Sequence, residues 1–327
     1  MRIQVAVERW PLKKSFAITN HVFTACEVVV VSASEGGLTG RGEACGAYYK
    51  KETPEQMARE LLAILGSGRH LERTELAQLK CSAGARNALD CALWDLEAKR
   101  TKKPVWQLAG LQQPRPLRTT YTLGADTPEQ MASAAAHFAG ASHIKLKLTG
   151  DGTDHERVRA VRDARPDVWL MVDANQGFTP GSLRALLPTL SAARVSLIEQ
   201  PFAVGREADL DHFESPIALV ADESAQEITD LDTLIGRFQV INIKLDKCGG
   251  LTRALEMAQA CRRLGFEVMV GNRMGTSLSI APAYLLGQVC DVVDLDAALF
   301  LASDRSPAAT YRDGLVTVPG GLWGEPV

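Results

Sequence analysis

The stretch HIKLKLTG, residues 143–150, contains two lysines that share one face of a short strand. Lys145 and Lys147 alternate with aliphatic residues, and this period of two puts the ammonium groups on one face and the aliphatic side chains on the other. Taken alone, the pattern is typical of a solvated edge strand, where lysine opposes aggregation. Because lysine is rarely buried without a partner, any other interpretation needs support from the rest of the chain.

Composition indicates a globular protein from a reducing compartment. The 327 residues are 46% hydrophobic and 23% charged, which is enough apolar material for a sizeable core. The net charge of −3 is not the positive charge expected of a nucleic-acid-binding protein. The seven cysteines contain no CxxC motif, so they suggest neither a zinc site nor a redox pair. No apolar run approaches the ~18 residues of a membrane span, and the N-terminus lacks the apolar core of a signal peptide. We therefore expect a cytoplasmic protein without nucleic-acid or membrane partners. The sequence is compatible with a homo-oligomer.

The first part of the chain, about residues 1–115, has strands followed by helices. EVVVVSASEGGLTGRGEA, residues 27–44, predicts two strands joined by a glycine-rich turn. A helix is predicted over residues 53–65 from its capping signals, and a longer one over 82–100 from its helical spacing of apolar residues. The proline-containing segment 111–118 then marks a joint. This part is expected to be an α+β domain.

After this joint, eight short apolar runs alternate with helical patterns. The count and spacing predict a parallel (β/α) barrel rather than an open sheet. The eight predicted strands are residues 119–123, 143–148, 168–173, 195–200, 216–222, 239–245, 266–271 and 291–296.

Charged residues stand at the ends of five successive strands of this predicted barrel. They are Lys147, Asp173, Glu199, Asp222 and Lys244, each about one βα unit beyond the last. Any one of the acidic residues is more often a helix cap or a surface loop residue, but the regular series is hard to explain that way. Because active sites lie at the C-terminal ends of barrel strands, we expect these five side chains to converge.

The chemistry of this set favours proton abstraction next to a carboxylate. Asp173, Glu199 and Asp222 would repel one another without a cation, and an oxygen-only donor set suits Mg²⁺. Lys147 and Lys244 come from opposite sides of the barrel and can flank one carbon atom. We expect burial and a neighbouring cation to lower their pKa values toward those useful in proton transfer. A metal that binds a substrate carboxylate stabilises the charge that develops beside it.

The motifs KxK at residues 145–147, VDAN, IEQP, ADES and IKLDKCGG occur in this order. Together they resemble the enolase superfamily, and in particular its muconate-lactonizing subgroup, over essentially the whole chain. The resemblance implies an α/β fold with a modified TIM barrel, (β/α)7β, over residues 116–305. It implies an N-terminal α+β capping domain over 1–115, completed by the tail 306–327 that packs back on the cap.

The same resemblance implies roles for individual residues. It assigns Asp173, Glu199 and Asp222 as Mg²⁺ ligands, with Lys145 neutralising the substrate carboxylate. The acid/base pair would be the two lysines at the ends of the second and sixth barrel strands, Lys147 and Lys244.

The segment DVVDLDAAL narrows the substrate class. Asp294 and Asp296 share one face of the last barrel strand. An isolated DxD is more often a helix cap plus a charge at the barrel bottom, but at the mouth the pair suits a substrate ammonium group. DxD followed by Ala-Ala-Leu resembles dipeptide epimerases, as does GARNALDCALWDL in the cap. The implied reaction is Mg²⁺-dependent inversion of the C-terminal residue of a dipeptide, L-Ala-D/L-Glu or a related one from murein peptides, by two-lysine 1,1-proton transfer.

One departure from that group concerns the specificity of the cap loops. Dipeptide epimerases that act on Ala-Glu can use an arginine in the first cap loop, but residues 16–27 contain Asn20 and His21 instead. Lys50 in the second cap loop is a candidate for the missing charge, with an ordinary solvated lysine as the equal alternative. Arg273 after the seventh barrel strand either faces the pocket or makes an exterior salt bridge.

Other functions stay open at this point. Within the superfamily, an N-acylamino acid racemase or an o-succinylbenzoate synthase uses the same lysines. An aldolase with Lys147 or Lys244 as a Schiff base belongs to a different class and has no need of the three carboxylates. A non-catalytic binding protein on the same scaffold is the remaining alternative.

Overall fold

The computed structural model describes residues 1–19, 21–65 and 71–326. The strands in these ranges are β1 (Arg2–Ile18), β2 (His21–Glu35), β3 (Leu38–Ala44), β4 (Leu117–Arg118), β5 (Tyr121–Leu123), β6 (His143–Lys147), β7 (Trp169–Asp173), β8 (Val195–Glu199), β9 (Ala218–Ala221), β10 (Val240–Ile243), β11 (Glu267–Gly271), β12 (Val292–Asp294), β13 (Thr310–Arg312) and β14 (Leu315–Thr317). The α-helices are α1 (Pro54–Leu65), α2 (Ala83–Thr101), α3 (Val105–Leu108), α4 (Pro128–His137), α5 (Asp154–Ala164), α6 (Pro180–Ala192), α7 (Leu231–Leu234), α8 (Leu245–Cys248), α9 (Leu251–Arg263) and α10 (Ser277–Gly287). Within the described part, each helix is too short or too polar to cross a bilayer.

The N-terminal unit is an antiparallel sheet, β1-β2-β3, covered by α1 and α2. Gly36 and Gly37 form the predicted turn between β2 and β3, and both have the positive φ values that glycine adopts without strain. Gly40 and Gly42 let α2 lie directly on β3, because a Cβ atom on Gly42 would stand 2.1 Å from the carbonyl oxygen of Ala88. Gly36 and Gly37 therefore allow the hairpin turn, and Gly40 and Gly42 allow the close contact between α2 and β3.

The predicted (β/α)7β barrel is confirmed. Strands β5 to β12 form one parallel sheet in chain order, and its two edges meet where Thr120 N–H donates to the Val293 carbonyl at 3.0 Å. Leu295 N–H also donates to the Thr119 hydroxyl at 2.9 Å across this seam. Apolar side chains such as Met171 fill the barrel interior, and helices pack around the outside.

One connection differs from the predicted alternation of strands and helices. Between β8 and β9 the described chain forms only a short 3-10 helix, Glu207–Leu210. Pro201, Pro216 and the positive φ of Gly205 limit regular helix in this segment. The barrel keeps its strand order because the connection is still long enough for a parallel crossover.

Buried acidic side chains fasten the cap to the barrel. Asp246 on α8 accepts hydrogen bonds from Cys45 N–H at 3.0 Å and from the Asn87 amide at 3.2 Å. Asp90 on α2 accepts from the Thr252 N–H at 3.0 Å and from its hydroxyl at 2.6 Å. These bonds hold the cap loops over the C-terminal ends of the barrel strands.

Glu43 makes a third such contact, and its removal tests how strongly cap and barrel are joined. Its carboxylate is 1% exposed and accepts hydrogen bonds from Thr276 N–H and from the Arg305 guanidinium, each at 2.7 Å. Because Glu43→Ala removes one of the two carboxylate partners of the half-buried Arg305 and leaves the buried Thr276 N–H without its acceptor, we expect the free energy of unfolding to fall by about 1–3 kcal/mol or more, measured by denaturant titration.

The control for this measurement is Glu27→Ala. Glu27 pairs with Arg9 at 3.3 Å, and both side chains are more than half exposed. An exposed pair contributes at most about 1 kcal/mol. Equal losses of stability in the two variants would show that Glu43 does not hold the domains together.

Candidate active site

The structure brings together all five side chains that were predicted to converge. Lys147, Asp173 and Glu199 are the last residues of β6, β7 and β8, whereas Asp222 and Lys244 directly follow β9 and β10. Lys147 Nζ lies 2.5 Å from Asp173 Oδ2, and Lys244 Nζ lies 2.6 Å from Asp222 Oδ2. Because the strands are parallel and adjacent, their C-terminal ends form one mouth beneath the cap.

The solvated-edge interpretation of the two strand lysines is wrong. Strand β6 lies between β5 and β7 inside the barrel sheet, and Lys145 is only 1% exposed. Its ammonium group lies 2.7 Å from Glu199, 2.8 Å from Asp294 and 3.1 Å from Asp173. The lysine face of β6 therefore points into an acidic cluster rather than into solvent.

The expected lowering of the Lys244 pKa is reversed in this arrangement. Burial alone would lower the pKa of Lys244, but the charges of Asp222 and Glu199 outweigh it and raise the pKa above its ordinary value. Burial likewise opposes ionisation of Lys145, yet three carboxylates raise its pKa. These carboxylate contacts join distant parts of the chain, so no local sequence pattern reveals them.

The same contacts separate the pKa values of the carboxyl groups. Burial would raise the pKa of Asp173, but Lys147 and Lys145 lower it to about 2. Burial and the charge of Asp173 raise the pKa of Glu199 to about 7. Asp222 has its pKa held well below the usual range, because Lys244 and Lys247 outweigh the effect of burial.

The donor set fits a hard divalent cation. Asp173, Glu199 and Asp222 are all at most 3% exposed and supply only oxygen atoms, as Mg²⁺ prefers. Glu199 Oε2 receives no hydrogen bond of proper geometry, although Lys145 Nζ lies 2.7 Å away. Within the described ranges, no three histidine, cysteine or acidic side chains are arranged so that they could hold a metal ion as they stand. Lysine ammonium groups pair with these carboxylates instead.

Sequence reasoning missed three buried polar residues of the mouth. Lys247 is 2% exposed, and its ammonium group lies 2.6 Å from Asp222 Oδ1. Asn242 donates from its amide to Glu199 Oε1 at 2.8 Å. Glu223 is 3% exposed, and burial with the adjacent Asp222 charge raises its pKa to about 7. Their proximity to Lys244 and Asp222 in the segments NIKLDK and ADES was the available signal.

Asp294 and Asp296 line the cleft and also connect the two edges of the barrel. Asp294 accepts a hydrogen bond from the Thr120 hydroxyl, in addition to its contact with Lys145. Asp296 accepts from Thr122 N–H at 2.6 Å. Burial and the neighbouring Asp294 charge raise the pKa of Asp296 to about 7. Both carboxylates thus already have protein partners.

The cap and the barrel form an open cleft over these residues. His21 stacks on Tyr48 with ring centroids 4.7 Å apart. Tyr48 lines the cleft, whereas His21 is not part of the lining. Lys50 is exposed and is not part of the lining, whereas Arg273 is. Asn20 lies outside the described residues. The lining comprises Phe16, Ile18, Phe23, Cys45, Gly46, Tyr48, Tyr49, Thr122, Lys145, Lys147, Asn175, Asp222, Glu223, Lys244, Asn272, Arg273, Met274, Asp294, Asp296, Ala297 and Phe300.

Two curated proteins are similar to this chain over most of its length. The L-Ala-D/L-Glu epimerase of Escherichia coli (strain K12) is 38% identical over 316 residues, which are 95% of this chain and 98% of the relative. The N-acetyl-D-glutamate racemase of a Pseudoalteromonas species is 40% identical over 258 residues, which are 78% of this chain and 81% of the relative.

Solved structures share the complete fold. An enolase family member from Agrobacterium tumefaciens with homology to dipeptide epimerases, with bound sodium and L-Ala-L-Glu, is 40% identical with a TM-score of 0.95 over 98% of this chain and 99% of that one. The dipeptide epimerase of Enterococcus faecalis V583, complexed with Mg and L-Leu-L-Tyr, is 28% identical with a TM-score of 0.90 over 98% of both chains.

Models of two domain families match consecutive parts of the sequence. Residues 1–110 match the mandelate racemase / muconate lactonizing enzyme N-terminal domain. Residues 129–322 match the enolase C-terminal domain-like family. With the capped eight-stranded barrel and its charged mouth, these matches show that the chain belongs to the mandelate racemase and muconate-lactonizing enzyme family of the enolase superfamily.

Proposed function

We propose that this protein is an isomerase that inverts the α-carbon of the C-terminal residue of a dipeptide by 1,1-proton transfer between two lysines. The observation that carries the proposal is the position of Lys147 and Lys244, which stand at the C-terminal ends of strands four apart around the barrel and line one cleft. The likeness to the E. coli epimerase and to structures that hold dipeptides supports it.

The proposed mechanism uses the two lysines alternately. Asp173, Glu199 and Asp222 would hold Mg²⁺, which when bound supplies positive charge beside the substrate carboxylate. One lysine, as the free amine, removes the α-proton from its face, and the ammonium group of the other returns a proton to the opposite face. Each base must first leave its carboxylate partner, because that contact favours the charged form.

The other charged groups have binding roles in this proposal. Lys145 would neutralise the substrate carboxylate. Asp294 and Asp296 would accept hydrogen bonds from the ammonium group of the dipeptide, which sets the distance to the α-carbon of the second residue. By analogy with its relative, the substrate would be L-Ala-D/L-Glu or a related dipeptide, as released from murein peptides.

An N-acylamino acid racemase is the second candidate. The 40% identity to an N-acetyl-D-glutamate racemase favours it, and so do the protein partners of the two aspartates. Thr122 N–H and the Thr120 hydroxyl already use oxygens of Asp296 and Asp294, so an acyl group without charge can lie beside them. Both candidates use the same lysines and differ only at the amino end of the substrate.

We also propose a capping domain over residues 1–115, a barrel over 116–305 and a tail over 306–327. In support, the Trp323 indole donates to the Cys91 carbonyl at 3.0 Å, and Gly324 N–H donates to Asp95 at 2.8 Å. The tail thereby contacts α2 of the cap. A cytoplasmic location remains a prediction from composition.

Removal of divalent cations tests the ligand assignment. We expect EDTA to abolish exchange of the substrate α-proton in D₂O and Mg²⁺ to restore it. Mg²⁺ should also raise the melting temperature of the wild type, because it binds only the folded state. Asp222→Asn should lose both effects, whereas Asp232→Asn, at an exposed position of α7, should keep both. Full exchange by metal-free protein would exclude the metal site.

Single lysine variants test the two-face mechanism. Lys147→Ala and Lys244→Ala should each lower epimerisation at least roughly a hundredfold, because proton transfer by a positioned group contributes about 10²–10⁴. Each variant should still exchange the α-proton of one enantiomer only, as measured by NMR in D₂O. Lys103→Ala, at an exposed position, is the control. Near-wild-type epimerisation by both cleft variants would contradict the mechanism.

Substrates with and without the ammonium group distinguish the two candidates. For a dipeptide epimerase, Asp296→Asn should lower kcat/KM for L-Ala-L-Glu roughly 10- to 100-fold, since a charge-assisted hydrogen bond contributes about 1.5–3 kcal/mol. The same variant should leave N-acetyl-L-glutamate nearly unaffected. If wild-type protein turns over N-acetyl-L-glutamate as fast as the dipeptide or faster, the second candidate is correct.

A further inference from the structure

Among the residues that the structure describes, Arg273 differs from the lysines of the cleft in having no carboxylate partner. Lys145, Lys147 and Lys244 each lie within 2.8 Å of a carboxylate oxygen. Arg273 lines the same cleft, yet within the described ranges it makes no ion pair within 4.0 Å, and its Nε is buried without a hydrogen-bond partner. A guanidinium group in this state retains most of its capacity to bind an anion.

The orientation of Arg273 is fixed from the cap. One terminal nitrogen donates to the Tyr49 hydroxyl at 2.8 Å, and the guanidinium carbon lies 5.0 Å from the centre of the Tyr49 ring. The Gln226 amide also donates to this hydroxyl, at 3.0 Å, and to the Glu223 carbonyl at 2.7 Å. Tyr49 is therefore held by the barrel and in turn holds the arginine over the mouth.

The carboxylates whose charges act on Arg273 have other partners. Burial opposes the charge of Arg273, whereas Tyr49, Asp246 and Asp222 favour it and raise its pKa. Asp246 accepts hydrogen bonds on Oδ1 from Cys45 N–H and the Asn87 amide, and Asp222 pairs with lysines. The charge of the guanidinium is thus compensated only at a distance, and a ligand carboxylate that reached it would gain a direct partner.

We propose that Arg273 binds the side-chain carboxylate of an acidic residue at the inverting carbon, and that it determines specificity for glutamate-like substrates. The inference rests on the proposed function. The reacting carbon would lie at the strand ends between the two lysines, and Arg273 is joined to the cap loop above them, where a substrate side chain extends. The first cap loop, residues 16–27, supplies no arginine for this task.

This assignment holds for both candidate functions, because an Ala-Glu dipeptide and an N-acylated glutamate carry the same side chain. Tyr49 is a positioning residue, since it acts through Arg273. A lysine in place of Arg273 keeps the charge but loses the planar, two-point contact with a carboxylate, so it should restore the preference only in part.

The test compares acidic substrates with their neutral amides of nearly equal shape. We would measure kcat/KM for L-Ala-L-Glu and L-Ala-L-Gln, and for N-acetyl-L-glutamate and N-acetyl-L-glutamine. Arg273→Met should lower the values for the glutamate substrates roughly 10- to 100-fold and leave those of the glutamine substrates unchanged. Tyr49→Phe should reduce the preference less, and Arg273→Lys should lie between Met and wild type.

Two control variants complete the design. Arg159→Met removes an exposed arginine on α5 and should leave every value unchanged. Lys50→Met removes the competing cation of the cap loop and should also leave the glutamate preference intact. If Lys50→Met abolished the preference for glutamate substrates and Arg273→Met did not, Lys50 would be the residue that binds the side-chain carboxylate.

The remaining outcomes separate this inference from the proposed function. Equal losses for glutamate and glutamine substrates in Arg273→Met would mean that the arginine binds a part common to both, which overturns the inference alone. The same holds if wild-type protein prefers neutral side chains. Absence of α-proton exchange with every dipeptide and N-acyl amino acid would refute the proposed function and the inference together.

Discussion

The ammonium group of Lys145 lies among carboxylates from three other strands, and the mouth of the barrel depends on this contact. Asp173, Glu199 and Asp294 approach it to 2.7–3.1 Å, and all four side chains are nearly inaccessible to solvent. Without a cation between them the acidic groups would repel one another strongly at low dielectric. Loss of one partner from such a buried cluster typically costs about 3–5 kcal/mol. Lys145 is therefore an internal counter-ion that ties β6 to β7, β8 and β12.

Four lysines share the task of charge compensation, and this has a chemical consequence. Lys147, Lys244 and Lys247 pair with the same acidic residues that are proposed as metal ligands. A carboxylate that binds a divalent cation interacts less strongly with a neighbouring ammonium group. A lysine that leaves its carboxylate partner loses an interaction that favours the ammonium form, which is the direction that proton abstraction requires. The lysines and the proposed metal ion would thus compete for the same carboxylate oxygen atoms.

The aspartates of the last strand connect barrel closure to the shape of the cleft. Asp294 and Asp296 accept hydrogen bonds from Thr120 and Thr122 across the seam between β12 and β5, where few backbone bonds close the sheet. Their side chains also face the cleft. The cap contributes Tyr48 and Tyr49 to the same cleft, so its lining comes from two domains joined by buried hydrogen bonds.

The sequence by itself determined the barrel, its strand order and the positions of the charged strand ends. Period-two apolar runs and glycine or proline breaks are local signals, and parallel strands place residues such as Asp173 and Glu199 side by side without further information. It also located the hairpin and α2, whose cap at Ser82 is a local feature.

Only the tertiary structure decided which side chains meet across the mouth. Lys145 and Asp294 are 149 positions apart, and Tyr49 and Arg273 are 224 apart, so no local pattern encodes either contact. The structure likewise placed Arg273 in the cleft and Lys50 at the surface, and it reversed the pKa shift expected for Lys244. The physical reason is that side-chain partners and desolvation depend on how the barrel closes and how the cap lies on it, and these are properties of the whole chain.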